Sequence, residues 1–305
     1  MADPAPTDRY RGWTRPGPVP PGDVEVEQGE TLDWLLGHWR IFQLARGHRF
    51  STDDVLCAWY GTSWAPRVER ACDLGSGIGS VALCVAWRLP AARVVTIEAQ
   101  EQSLRLADKS VRYNGVADRV TLLHGDLRDP EVRRRARDAG GPAGDSAGGD
   151  GARGFDLVTG TPPYWPVGSA LPAQHSQAVP ARLEVRGDIA DYARAAAELL
   201  APGGVFACVH QASQDARARR ALADAGLVLV RTRGVCFKEG VPLEESGIML
   251  YCAVRRSDVP RAFDGERPII EPHLCIRRAD GSTHPEIAAV RLGYGFPPGV
   301  GGDEA

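Results

Sequence analysis

The segment ACDLGSGIGS at positions 71–80, an apolar run that breaks directly into three glycines at alternate positions, limits this chain more than any other feature. A strand that turns sharply through glycine into a helix is the opening βα unit of an open, mostly parallel sheet. Glycine takes the positive-φ bends of such a turn and leaves room for a ligand against the backbone. The spacing then restricts the ligand. A dinucleotide fingerprint is G-x-G-x-x-G, which aims a helix N-terminus at a pyrophosphate. Here Gly75, Gly77 and Gly79 stand as G-x-G-x-G with Ser76 inside the bend, and Asp73 ends the strand where it would repel a phosphate. A ligand with a positive centre and no phosphate fits better.

The sequence after this bend repeats the unit. Apolar runs at 70–74, 93–98, 120–124, 155–159, 204–210, 228–233 and 248–254 alternate with helical patterns. One helix runs over 80–89; another is traced by Leu104, Ala107 and Val111 and stopped by Asn114-Gly115. Glu98 closes the second run about 20 residues beyond the glycines, the offset at which an acid accepts from ribose hydroxyls. Asp126, followed by Leu127, closes the third, where a carboxylate can accept from the exocyclic amine of adenine. Three acids at successive strand ends lie on the face where open α/β sheets bind ligands. S-adenosylmethionine (SAM), with its ammonium, sulfonium, ribose and adenine, matches this set. Asp53 is a further candidate for the cofactor pocket, with capping of its own helix as the alternative.

Other readings are excluded by composition. Hydrophobic residues at 43% and charged residues at 25% describe an ordinary globular chain. The net charge of −3 gives no global basic field toward DNA or anionic membrane. No stretch approaches the roughly 20 apolar residues of a membrane span, and the N-terminus has no apolar leader core, so a cytoplasmic protein without a membrane partner is expected. Seven scattered cysteines with no CxxC read as reduced core thiols, and no metal site is expected.

The organisation expected is a Pro-rich flexible arm over 1–28, one domain over 29–256 carrying a low-complexity insertion at 138–154, and a C-terminal extension over 257–305. A hairpin turn is expected in that extension at Asp280-Gly281. Residues 31–61 belong to the folded body, with a helix over 53–60 capped by Ser51 or Thr52. The arginines of 131–138 and Arg217, Arg219 and Arg220 read as solvated helix faces, and His124 and His210 as satisfied core histidines. Arg182 and Glu184 are either a buried pair or substrate contacts.

The fourth run ends in Thr161-Pro162-Pro163-Tyr164. This tetrad resembles the Asn/Asp/Ser-Pro-Pro-Tyr motif of amino-group methyltransferases. An exocyclic amine has its lone pair delocalised into the ring, so an enzyme must accept its hydrogens to help the nitrogen pyramidalise. The side chain at 161 and a proline-flanked carbonyl can accept them. The prolines stiffen the loop, and Tyr164 offers a face for an unstacked base.

With these motifs the chain resembles class I SAM-dependent methyltransferases, which implies a Rossmann-like fold. The implied sheet has seven strands, mostly parallel, in the order 3-2-1-4-5-7-6 with the last antiparallel, and helices on both faces. Over residues of about 38 to 290 it is more closely similar to the bacterial tRNA1(Val) adenine-N6 methyltransferase family. Arg49, Phe50 and Asp53 match the pattern before the first strand, and Ala181, Arg182 and Glu184 match the segment after the tetrad. The resemblance implies SAM as cofactor and tRNA as partner. Threonine at 161 departs from the family's asparagine. The acceptor stays open between an RNA adenine and a protein or small-molecule amine, with a SAM-binding module lacking turnover as the third reading.

Overall fold

The computed structural model describes residues 21–65, 67–139, 154–168, 175–259 and 267–296, and the backbone of 9–10 and 13–14. Most of the expected arm and almost all of the 138–154 insertion lie outside the described residues.

The elements follow one another as expected for a doubly wound sheet. A hairpin of β1 (Glu30–Leu36) and β2 (Trp39–Leu44) precedes α1 (Thr52–Trp64). Then come β3 (Arg70–Leu74), α2 (Ser80–Arg88), β4 (Arg93–Glu98), α3 (Glu101–Tyr113), β5 (Val120–His124) and α4 (Pro130–Ala139). The second half holds β6 (Phe155–Gly160), α5 (Val179–Arg182), α6 (Ile189–Leu199), β7 (Leu200–Gln211) and α7 (Asp215–Asp224). It closes with β8 (Leu227–Lys238), α8 (Leu243–Ser246), β9 (Ile248–Arg255), β10 (Ile269–Arg277) and α9 (Pro285–Gly293).

The main sheet runs β5-β4-β3-β6-β7-β9-β8-β10. Its first seven strands have the implied 3-2-1-4-5-7-6 order, and β9 is antiparallel to both β7 and β8. The count of seven is corrected to eight, because β10 adds in parallel to β8 at the edge. Pro272, which has no N–H for a ladder, is tolerated there because only an edge strand has a free side. The Asp280-Gly281 turn follows, but only the single bridge Arg277↔Thr283 forms across it before α9 begins.

Successive strand residues feed opposite faces. Ala71 packs with α1, α2 and the hairpin, whereas Cys72 packs with α6 and α7. The outer edge of β2 is covered by side chains of α3: Phe42 N donates to Ser110 Oγ at 2.9 Å and Arg40 N to Asn114 Oδ1 at 2.9 Å. At the start of the hairpin, Glu27 and buried Glu30 both accept from Arg105 and Lys109 of α3. The C-terminal residues also reach the core. Tyr294, 1% exposed, donates its hydroxyl to the Val55 carbonyl of α1 at 2.7 Å.

Candidate functional site

The C-terminal ends of β3, β4, β5 and β6 and the start of α1 open on one cavity of about 400 Å³. Its floor is the glycine bend. Gly75, Gly77 and Gly79 all have positive φ, between 54° and 86°. Gly75 lies against the Tyr192 hydroxyl of α6, so a Cβ there has no room, whereas a Cβ on Gly77 would meet nothing within 4 Å. The bend is tied to β4 by backbone: Ser76 N donates to the Ile97 carbonyl at 3.1 Å.

The acids are placed differently from one another. Glu98, 5% exposed, accepts from Gly77 N at 2.7 Å and Gln100 N at 2.6 Å, and burial raises its carboxyl above the ordinary range. Asp126 accepts from Arg128 at 2.6 Å, which holds its carboxyl below the ordinary range. Both line the cavity, with Leu127 beside them. Asp73 does not. It sits under the bend, 1% exposed, with Oδ1 accepting from Thr159 at 2.8 Å and Oδ2 without a partner. Burial pushes it up to about 8. Gly79 also stands off the cavity, as the N-cap of α2. The remaining cofactor candidates, Asp53, Gly75, Ser76 and Gly77, and the tetrad Thr161-Pro162-Pro163-Tyr164 all line it, whereas Arg49, Phe50 and Glu184 do not.

The tetrad lines the same cavity. Tyr164 donates its hydroxyl to Asp53 Oδ2 at 2.5 Å, and its ring lies 5.2 Å from that of His210. Its carbonyl accepts from Gln214 Nε2 at 2.7 Å. Two backbone bonds, Trp165 N to the Arg182 carbonyl at 3.3 Å and Glu184 N to the Trp165 carbonyl at 2.9 Å, zip this loop to the segment before α6. Asp53 therefore meets the tetrad tyrosine instead of only capping its helix, and burial raises its carboxyl.

Several readings of single residues change. Arg182 and Glu184 are not a pair: Arg182 lines the cavity, and Glu184 accepts from Arg217, which also reaches Asp188. Arg219 pairs with Asp215 within α7. In α4, Arg134 meets Glu131 and Asp138 of the same helix, and Arg133 meets Glu198 of α6. His124 is exposed at a strand end. His210 is fully buried, yet neither ring nitrogen makes a hydrogen bond, so the pair of satisfied core histidines is corrected on both counts.

Sequence reasoning missed Gln177, 3% exposed, which joins three walls of the cleft. Its Nε2 donates to Ser103 Oγ at 3.0 Å, and its Oε1 accepts from His48 N at 2.6 Å. No local pattern announces it. Asp54 was also missed. It accepts from Ser51 N at 3.1 Å and from Ser80 Oγ at 2.9 Å, fastening α1 to the start of α2. The Ser51-x-x-Asp54 spacing is a capping-box signal for it.

Comparison with known proteins follows this geometry. Residues 63–136 match the family of the methyltransferase small domain. The chain is 31% identical over 171 residues to a tRNA1(Val) (adenine(37)-N6)-methyltransferase of Porphyromonas gingivalis, covering 55% of this chain and 61% of the relative. It is 28% identical over 206 residues to a release factor glutamine methyltransferase of Gloeobacter violaceus, covering 62% and 64%. The chain thus spans about three-fifths of the length of these curated relatives. The crystal structure of a predicted O-methyltransferase from Agrobacterium tumefaciens superposes with a TM-score of 0.54 at 19% identity, covering 81% of this chain and 99% of that one, a likeness of fold. Over residues 63–136 the chain is similar to the methyltransferase small domain, its fold is the Rossmann-like one of class I methyltransferases, and SAM is its cofactor.

Proposed function

We propose that this domain methylates an exocyclic amine, adenine N6 in an RNA of the tRNA class, by in-line transfer from SAM. The observation that carries the reading is the tetrad Thr161-Pro162-Pro163-Tyr164 lining the same cleft as the glycine bend. The residues present suit the cofactor. Ser76 Oγ and Asp73 Oδ2 are buried without partners at and under the bend, Gly77 leaves open space, and the carboxylates Glu98 and Asp126 oppose no phosphate. When bound, SAM supplies a methyl group on a sulfonium that is already a good leaving group.

The protein's share is then alignment and exclusion of water. Glu98 and Asp126 would hold the ribose and adenine, with Leu127 alongside, while Gly75, Ser76 and Gly77 would receive the amino-acid end. Thr161 Oγ1 and the Pro162 carbonyl accept from the target amine. Pro163 stiffens the turn, and Tyr164 stacks on the acceptor ring with its hydroxyl fixed by Asp53. Orientation of this kind contributes up to about 7 to 11 kcal/mol in favourable systems. The amine proton departs after methyl transfer, so the step requires no dedicated base. The reading is tested by incubating the protein with labelled SAM and undermodified tRNA and analysing the nucleosides by mass spectrometry. N6-methyladenosine is expected; label in no nucleoside overturns it.

A second reading rests on Thr161. A hydroxyl accepts and donates through a single oxygen, where the family's amide accepts at its oxygen and donates from a separate nitrogen. A glutamine side-chain amide on a protein suits such a site, in line with the release-factor relative. Label appearing in a protein fraction and absent from RNA would select it. Tight SAM binding without label in either pool would select a binding module.

A further inference from the structure

We infer that Cys236 and Cys275 form a reversible thiol–disulfide site, closed by small-molecule disulfides, that staples the C-terminal strand to the sheet. Sequence spacing gives no hint of it, since the two residues are 39 apart and belong to no CxxC. The fold brings them together. They are register partners on the parallel strands β8 and β10, so both side chains leave the same face of the sheet. Their Sγ atoms are 3.5 Å apart, a thiol in contact with a thiol. Neighbouring strands lie about 4.8 Å apart, within the Cα separation a disulfide spans, so closure needs no backbone rearrangement. Cys275 is partly exposed at the sheet edge, whereas Cys57, Cys72, Cys84, Cys208 and Cys252 are all buried in the core. An oxidant in solution therefore meets Cys275 first and finds Cys236 as its resolving partner.

The chemistry balances as two exchanges. The Cys275 thiol loses its proton and attacks oxidised glutathione, giving a mixed disulfide and one glutathione thiol. The Cys236 thiol loses its proton and attacks the mixed disulfide at Cys275, releasing the second. The protein loses two hydrogens and two electrons, and one glutathione disulfide is reduced. Burial and the neighbouring sulfur raise the Cys275 thiol to about 11, so its attack on the oxidant quickens as pH rises.

The product would fasten a segment that reaches the site. β10 leads into α9, and Tyr294 beyond it bonds the first turn of α1, which carries Asp53 and Asp54.

The test is a non-reduced peptide map of the whole protein before and after treatment with oxidised glutathione at pH 8.5. Expected are loss of two titratable thiols, a Cys236 peptide joined to a Cys275 peptide, reversal by dithiothreitol and a Tm raised by roughly 5 °C or more. Cys275→Ser and, separately, Cys236→Ser should each abolish the joined peptide, the latter leaving glutathione attached at Cys275. Glutathione retained on wild-type Cys275 without the cross-link, or thiol loss confined to other cysteines, overturns the inference. None of these readouts depends on methyl transfer.

Discussion

Asp73 has one oxygen on Thr159 and the other without a partner, and burial lifts its pKa from 3.8 to about 8. In the unfolded chain the same carboxyl ionises near 3.8. Its contribution to stability is therefore full below that value, declines as pH rises and is gone above about pH 8. Asp73→Asn keeps the acceptor for Thr159 and removes the titration. The difference in Tm between the variant and the wild type should thus grow in the variant's favour from pH 5 to pH 9; parallel curves would remove Asp73 from the account. At the tetrad, Tyr164→Ala should reduce kcat/KM for the acceptor by about 5- to 150-fold, the range of one base–aromatic stack of about 1 to 3 kcal/mol. Tyr164→Phe and Asp53→Asn keep the ring and lose only its anchor, so both should cost less, with SAM affinity unchanged in all three. Equal losses for Phe and Ala would move the role from the ring to the hydroxyl. The sequence made Glu98, Asp126 and the tetrad legible because each sits at a strand end next to a turn signal. Gln177 was illegible because its two side-chain partners, His48 and Ser103, come from segments far from it in the chain.

At the scale of elements, β3, β4 and β5 end where the apolar runs do, since an acid or glycine stops each run and no neighbour has to decide. The hairpin β1–β2 was hidden for the opposite reason. β2 is buried along its whole length, so alternation is lost, and what completes its edge is Ser110 and Asn114 from a helix about 70 residues away. β10 was obscured by Pro272 and by exposed Ile269 and Ile270, a pattern that only an edge position explains. The β3–α2 bend allows a paired test. Gly77→Ala has open space and meets mainly the left-handed penalty of about 1 to 2 kcal/mol, so the protein should fold with a Tm lower by a few degrees. Its methyl group would occupy the cleft, so binding of S-adenosylhomocysteine by calorimetry should weaken. Gly75→Ala adds a collision with Tyr192 to the same strain and should destabilise far more. Equal Tm losses would mean that Tyr192 yields freely and the close approach is unimportant.

For the whole molecule, the question is whether residues after 256 are an appendage or part of the body that holds the site. Leu274 of β10 is 0% exposed and Tyr294 1% exposed, and the two join the same core as α1 and α2. Arg231 and Arg233 of β8 also lose their partners Glu271 and Glu286 if the segment is removed. Each large apolar side chain withdrawn from a core costs about 1.5 to 3 kcal/mol, and about 1 kcal/mol moves the Tm of a chain this size by roughly 2 to 4 °C. A chain ending at residue 256 should therefore melt roughly 10 °C or more below the full chain, or fail to stay soluble. The site should feel the loss as well, because the first turn of α1 gives up its bond from Tyr294 while still carrying Asp53 and Asp54. Tyr294→Phe isolates that effect: it keeps the packing and removes the hydroxyl, so it should lower Tm by only a few degrees. In hydrogen exchange the amides of residues 53–57 should lose protection before those of β3 do. If the shortened chain keeps both its Tm and its affinity for S-adenosylhomocysteine, β10 and α9 are additions to a complete domain, and α1 is held by α2 and by the strands β6, β7 and β9 on which it packs.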